Sequence, residues 1–250
     1  MYLTAIFFLT LIIPFLAMPK HIKLGILPPY RIVLLSTIGV SAAAAIVLMA
    51  AALSGTGLYS QLHEMMKIVS EEVAVNPMMV QSLNTAGVSE ADRAQLIMQV
   101  YDAGLMRLPI TIMTIGAVVS YIAYIIISRL MSRKHDVKLM PKFREFTFPP
   151  GAAMAVMFMY LIGWMMMEAE VEVGAMLFLN FSVLFDMVFV LQAIAVVLMF
   201  FHFKKVPQIV AVLICIVMCV TSFGKAIMVL LGMTDLFFGL RMRMGGRAGR

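Results

Sequence analysis

The 27 residues AMLFLNFSVLFDMVFVLQAIAVVLMFF at 175–201 contain one ionisable side chain, Asp186, and neither proline nor glycine. As a helix they would rise about 40 Å. The hydrocarbon layer of a membrane is about 30 Å thick and needs about 20 apolar helical residues to cross it. A helix that is apolar on every side cannot rest on a soluble core, so this stretch is a membrane span. Six further apolar stretches lie around it, at about 2–18, 32–53, 109–128, 149–167, 207–223 and 225–240. The expected fold is therefore all-α: a polytopic transmembrane helix bundle of about seven spans, with 1–250 as a single membrane domain. Residues 207–240 are only 34 for two spans with a turn at Ser222–Lys225, and one long helix followed by an interfacial segment is the alternative there.

The gaps between the stretches carry an orientation signal. Gaps 19–31, 129–148 and 202–206 and the tail 241–250 hold 3, 6, 2 and 4 Lys/Arg against only Asp136 and Glu145. The alternate set, 54–108, 168–174 and the turn near 224, holds Lys67, Arg93, Arg107 and Lys225 against nine acids. Bases gather on the cytoplasmic side of inner membranes, which puts the N-terminus outside and the C-terminus in the cytoplasm. Residues 1–20 lack a basic leader and an Ala-x-Ala cleavage site, and read as a retained span. Pro109, Pro149–Pro150 and Pro207 punctuate span starts, where a missing N–H is harmless. Gly39 with Ala43, Ser41 with Ala45 and Gly116 with Ser120 set small residues one turn apart, as close helix packing in lipid requires.

Only segment 54–108 is a sizeable polar region between spans. Leu58, Leu62, Met65, Met66, Val69 and Val73 share one helical face, and Asn76–Pro77 ends that helix. A second helix is expected from Ser89, with Asp92 in the capping-box position and Leu96, Ile97, Val100, Tyr101, Leu105 and Leu108 on one side. An extracytoplasmic amphipathic hairpin, joined through 76–88 and inserted between spans two and three, follows.

Composition narrows the function classes. Hydrophobic residues make up 63% of the chain and charged ones 13%, which excludes an ordinary soluble domain. The net charge of +6 comes from the cytoplasmic gaps and speaks for anionic lipid headgroups, not nucleic acid. Cys215 and Cys219 lie inside an apolar stretch and make no disulfide framework. No phosphate loop, HExxH or GxSxG motif is present, so an enzyme is not expected. The 26 methionines read as flexible packing, because no His or Cys joins their clusters. Cofactors and metals are expected to be none.

Two segments resemble a known family. Tyr121–Arg133 (YIAYIIISRLMSR) followed by LMPKFREFTFPP at 139–150 is similar to the centre of the YybS-like bacterial integral membrane proteins. LGMTDLFFGLRMR at 231–243 resembles that family's closing Leu-Gly…Asp…Arg pattern. Members are generally longer at the N-terminus, with further spans. The family has no assigned activity. Its fold has been likened to the substrate-binding subunits of energy-coupling-factor transporters, and by analogy the resemblance implies small-molecule uptake in the cell membrane.

Ionisable groups inside a span are where function concentrates. Asp186 lies mid-span with Ser182 one turn before it, while Asn180 and Gln192 are each rotated about 120° from it. Asp186, Ser182, Asn180 and Trp164 are the candidate ligand residues, with a structural hydrogen-bonding role for Asp186 as the alternative. Asp235 is expected to cap a helix or to pair with Lys225 or Arg241. Arg129, Arg133, Lys134, Lys138, Lys142 and Arg144 form a candidate membrane-surface or partner-docking group, together with the basic tail. The expected function is a non-enzymatic membrane subunit that binds an unknown small molecule and works with an energising partner. The alternative is a membrane scaffold that docks a partner protein through the outer hairpin or the basic loop.

Overall fold

A computed structural model of the chain describes residues 2–53, 58–85, 87–90, 92–132 and 137–241. Among these residues every regular element is helical. The chain divides into two compact units, Met1–Lys138 and Leu139–Arg250.

The first unit packs three long helices, α1 (Tyr2–Leu24), α2 (Pro29–Leu53) and α6 (Leu108–Met131), each long and apolar enough to cross a membrane. Small residues set their contacts. A Cβ on Gly116 would come within 2.9 Å of Val40, and Ser120 donates to the Ser36 hydroxyl at 3.1 Å with both serines buried. Lipid gives helices no hydrophobic reason to associate, so close backbone approach and interhelical hydrogen bonds hold such a trio together. Between α2 and α6 lie α3 (Leu58–Ala74), α4 (Pro77–Thr85) and α5 (Arg93–Met106). The stretch read from sequence as a loop over 76–88 thus holds a further helix. Pro77 begins it, and the Asn76 side chain accepts the Met78 N–H at 3.1 Å. The capping box expected at Ser89 is not formed. The Ser89 hydroxyl donates to the Asp92 carboxylate at 2.5 Å, and the helix starts at Arg93 with Asp92 as its N-cap residue and no side-chain cap bond. α3 and α5 are clamped by His63 Nδ1 and Asp102 Oδ1 at 2.9 Å.

In the second unit α7 (Pro150–Glu168) and α8 (Gly174–Phe203) are also long and apolar enough to span. Gly163 lets α7 approach the Phe178 backbone of α8, and Ala153 and Val156 bury against Val188 and Phe189. The last two stretches differ from the expectation. α9 (Gln208–Val220) has 13 residues and α10 (Ser222–Phe238) has 17, and the two are bent by 113° at Thr221. Their rises of roughly 20 and 26 Å fall short of the hydrocarbon thickness. The seven spans expected from hydropathy are therefore five, or six if the bent pair is counted as one.

Contacts within this unit show how the pair runs. α9 folds back on α8, with Cys215 and Met218 against Ala193 and its neighbours. α10 then runs in the direction of α8: Lys225 meets Asp186, Gly232 meets Phe189 and Asp235 meets Gln192. A bend beyond a right angle sends α10 back toward the end from which α9 came. Thr221 makes the turn, leaving α9 in extended backbone and accepting the Gly224 N–H at 3.2 Å as the cap of α10. The exposed faces of α9, including Ile209, Leu213, Ile216 and Val217, suit hydrocarbon and not water. The geometry is that of a re-entrant hairpin.

Two outcomes follow from this path. In a variant with Cys215 and Cys219 replaced by alanine, single cysteines at positions 205 and 240 should be labelled from the same side of the membrane by an impermeant thiol reagent. Opposite accessibility would mean that the pair crosses. Gly232→Ala should lower stability by at least about 1–3 kcal/mol, because the added carbon would collide with the backbone carbonyl of Phe189. A melting temperature equal to that of the parent would show that α8 and α10 can separate freely.

Candidate functional site

α8 carries two polar levels six residues apart, and α10 brings a charged partner to each. At Gln192 the network is closed. Asp235 Oδ2 accepts from Gln192 Nε2 at 2.7 Å and from Arg241 Nε at 2.8 Å, and Oδ1 accepts the Arg241 backbone N–H at 3.0 Å. The Arg241 Nη2 lies 2.8 Å from Asp235 Oδ2 as an ion pair and donates to Thr147 Oγ1 at 3.0 Å. Its Nη1 donates to the carbonyls of Phe146 at 2.5 Å and Arg144 at 3.3 Å. Every guanidinium nitrogen is engaged within the protein. Gln192 Oε1 accepts the Phe148 N–H at 3.0 Å, so the same cluster serves both α8 and the strap that leads from a 3-10 turn at Phe143–Glu145 into α7.

The local sequence makes this possible. Gly239 ends α10 at φ +61, a left-handed conformation that favours glycine, and its N–H bonds the Asp235 carbonyl. That turn folds Arg241 back over Asp235. The Arg241 and Asp235 side chains are 10% and 2% exposed, so neither has room for a ligand. The cluster supplies hydrogen bonds to backbone groups that an apolar environment would otherwise leave unsatisfied. Its role is structural.

The Asp186 level is open. Asp186 Oδ2 pairs with Lys225 Nζ, the two side chains being 33% and 46% exposed. Asp186 is 12 residues from the start of α8 and 17 from its end, roughly 18 and 26 Å along the axis. Lys225 stands in the first turn of α10, at the tip of the hairpin. The contact uses one carboxylate oxygen and one of three ammonium hydrogens, leaving the other groups available to a second molecule.

The other residues singled out from sequence are placed differently. Ser182 donates to the Leu179 carbonyl at 3.0 Å, and Asn180 Nδ2 donates to the Met176 carbonyl at 2.7 Å, both within α8. Trp164 is half exposed on α7. Lys225 was the residue missed as the partner of Asp186: on the sequence it belongs to an outer turn, and only the hairpin carries it to mid-span. Of the two partners open to Asp235, Arg241 is the one present, which removes that arginine from the basic tail as a surface charge. Arg129, Lys138 and Lys142 are exposed, and Lys138 donates to the Gly25 carbonyl at 3.3 Å. Arg144 lies 3.8 Å from Glu145. Arg133 and Lys134 lie outside the described residues. Among the described residues no cluster of three or more His, Cys, Asp or Glu suited to a metal occurs.

Comparison with known proteins places this arrangement in a wider set. Residues 2–236 match a family model described as "Predicted membrane protein (DUF2232)". The chain is 28% identical over 140 residues to the uncharacterized protein YybS of Bacillus subtilis (strain 168), a match covering 54% of this chain and 44% of that protein. The match therefore spans less than half of the relative's length. No solved structure matches.

The closed level makes a stability prediction. Arg241→Ala and Asp235→Ala should each lower unfolding free energy by about 3–5 kcal/mol, since each leaves a buried charge without its partner. Asp186→Asn should cost distinctly less, because its side chain is part exposed. Denaturant unfolding in a fixed detergent measures all three, and equal losses would erase the distinction between the two levels.

Proposed function

The chain belongs to the DUF2232 family of predicted membrane proteins, and from that premise we propose that it is a membrane subunit that binds a small polar molecule at Asp186 and Lys225. The observation that carries this reading is the open ion pair at mid-span. Charges within the apolar layer are expensive and are ordinarily saturated, as Asp235 and Arg241 are. A pair with unused hydrogen-bonding groups at the tip of a broken helix pair is how membrane carriers present a site for polar solutes. Asp186 comes from α8 and Lys225 from the hairpin, so an occupant would bridge these two elements. The chain carries no nucleotide-binding motif, and movement of a solute against its gradient would require an energising partner subunit.

A second reading, docking of a partner protein, draws on α3. Met65 and Ile68 of α3 and Val75 just past its end are exposed, with Glu64 and Glu71 beside them. An apolar stripe of this kind outside a span suits a partner surface.

The two readings separate by experiment. Native mass spectrometry of gently extracted protein should show a retained small molecule in the parent and none in Asp186→Asn or Lys225→Gln, with folded yield little changed. Retention of the same molecule by both variants removes the ion pair from the binding role. A co-purifying protein lost on Met65→Ser with Ile68→Ser, with no retained small molecule, would favour docking.

A further inference from the structure

We infer that the molecule bound at Asp186 and Lys225 carries both a cationic and an anionic group, as a free α-amino acid does. The inference rests on the binding role just proposed and names its ligand class. Its basis is charge balance at a fixed place. Asp186 and Lys225 are each other's counter-ion, and Asp186 stands 12 residues into the 30-residue apolar α8. An anionic ligand that took the ammonium for itself would leave the Asp186 carboxylate uncompensated beside it. A purely cationic ligand would do the same to Lys225. Removing one partner from an ion pair within the apolar layer costs more than exchanging both partners at once, although less here than for a fully buried pair. A ligand with both signs avoids either cost, because each protein charge trades one opposite charge for another.

Local geometry gives that ligand a direction. Lys225 lies in the first turn of α10, whose N-terminal end carries partial positive charge and unpaired N–H groups. The Gly224 and Lys225 N–H groups are held by Thr221, which leaves those of Ser222 and Phe223 at the tip. The anionic end therefore belongs at Lys225 and the hairpin tip. The cationic end belongs at Asp186, whose Oδ1 the ion pair does not use. The cluster around Asp235 offers no such vacancy, because the Arg241 and Asp235 side chains are buried and both carboxylate oxygens of Asp235 already accept within the protein.

The test uses the full chain in lipid nanodiscs and three probe sets: the twenty protein amino acids, the same set N-acetylated, and the same set as carboxamides. The acetylated set keeps the carboxylate alone and the amide set keeps the ammonium alone. Binding is read by native mass spectrometry and by the shift in melting temperature. At least one free amino acid should bind, and its acetylated and amidated forms should bind at least tenfold more weakly. Asp186→Asn and Lys225→Gln should each weaken binding at least tenfold. The double variant Asp186→Asn/Lys225→Gln orphans no charge, so it should fold as the parent does and still fail to bind. If only a singly charged form binds, and does so through both residues, the zwitterion inference falls while the binding role stands. If free amino acids bind the double variant as well as they bind the parent, both fall. If no set binds the parent, the amino-acid class is wrong, and loss of the co-purified molecule in Asp186→Asn then decides the binding role separately.

Discussion

Hydrocarbon offers no hydrogen bonds, so every polar group on α8 must find its partner within the protein or in whatever the protein binds. The second unit answers that requirement at Gln192 by bringing a carboxylate, an amide and a guanidinium together with three carbonyl or hydroxyl oxygens. Much else in the unit depends on that closure. Without Arg241 the strap at 144–148 would hold unpaired carbonyls, and α7 would lose the fixed entry that sets Ala153 and Val156 against α8. Gly232 then matters because the two helices must approach until backbone touches backbone before Asp235 can reach Gln192.

The contrast between the two polar levels carries the functional argument. They lie on the same pair of helices and both contain an acid–base pair, yet one is sealed and the other is part open. A protein that needed only to hold α10 against α8 could close both in the same way. Leaving charge exposed at mid-span weakens the fold there, and stability given up at one place is a usual mark of a site where something binds or moves.

Most of the helices could be read from sequence because a span states itself through length, apolarity and flanking charge. α1, α2, α6, α7 and α8 all follow from that signal. The hairpin did not, for a physical reason: an apolar stretch records that it lies in lipid, but not how deep it goes or whether it returns. Residues 207–240 carry enough hydrophobicity for two spans and enough length for neither. Lys225 added to the confusion, since beside a turn it looks like an outer charge. α4 was hidden for another reason, because nine residues opened by Pro77 show too little periodicity to stand out from a loop. As for the site, Asp186 was legible as an unusual charge in an apolar run. Its partner was not, because the two are 39 positions apart and only the parallel course of α10 joins them.

The order of synthesis gives the hairpin a further consequence. A growing chain offers α8 to the membrane before α9 and α10 exist, so Asp186 and Gln192 enter with neither of their α10 partners made. The long apolar run on both sides of Asp186 is what carries α8 in at that moment. α9 and α10 cannot repeat this, being short and bearing Lys225 and Asp235. They can settle only against an α8 already in place, sliding in as a wedge whose charges are neutralised on arrival. The structure thereby favours an order in which α8 is the template and the hairpin locks after it.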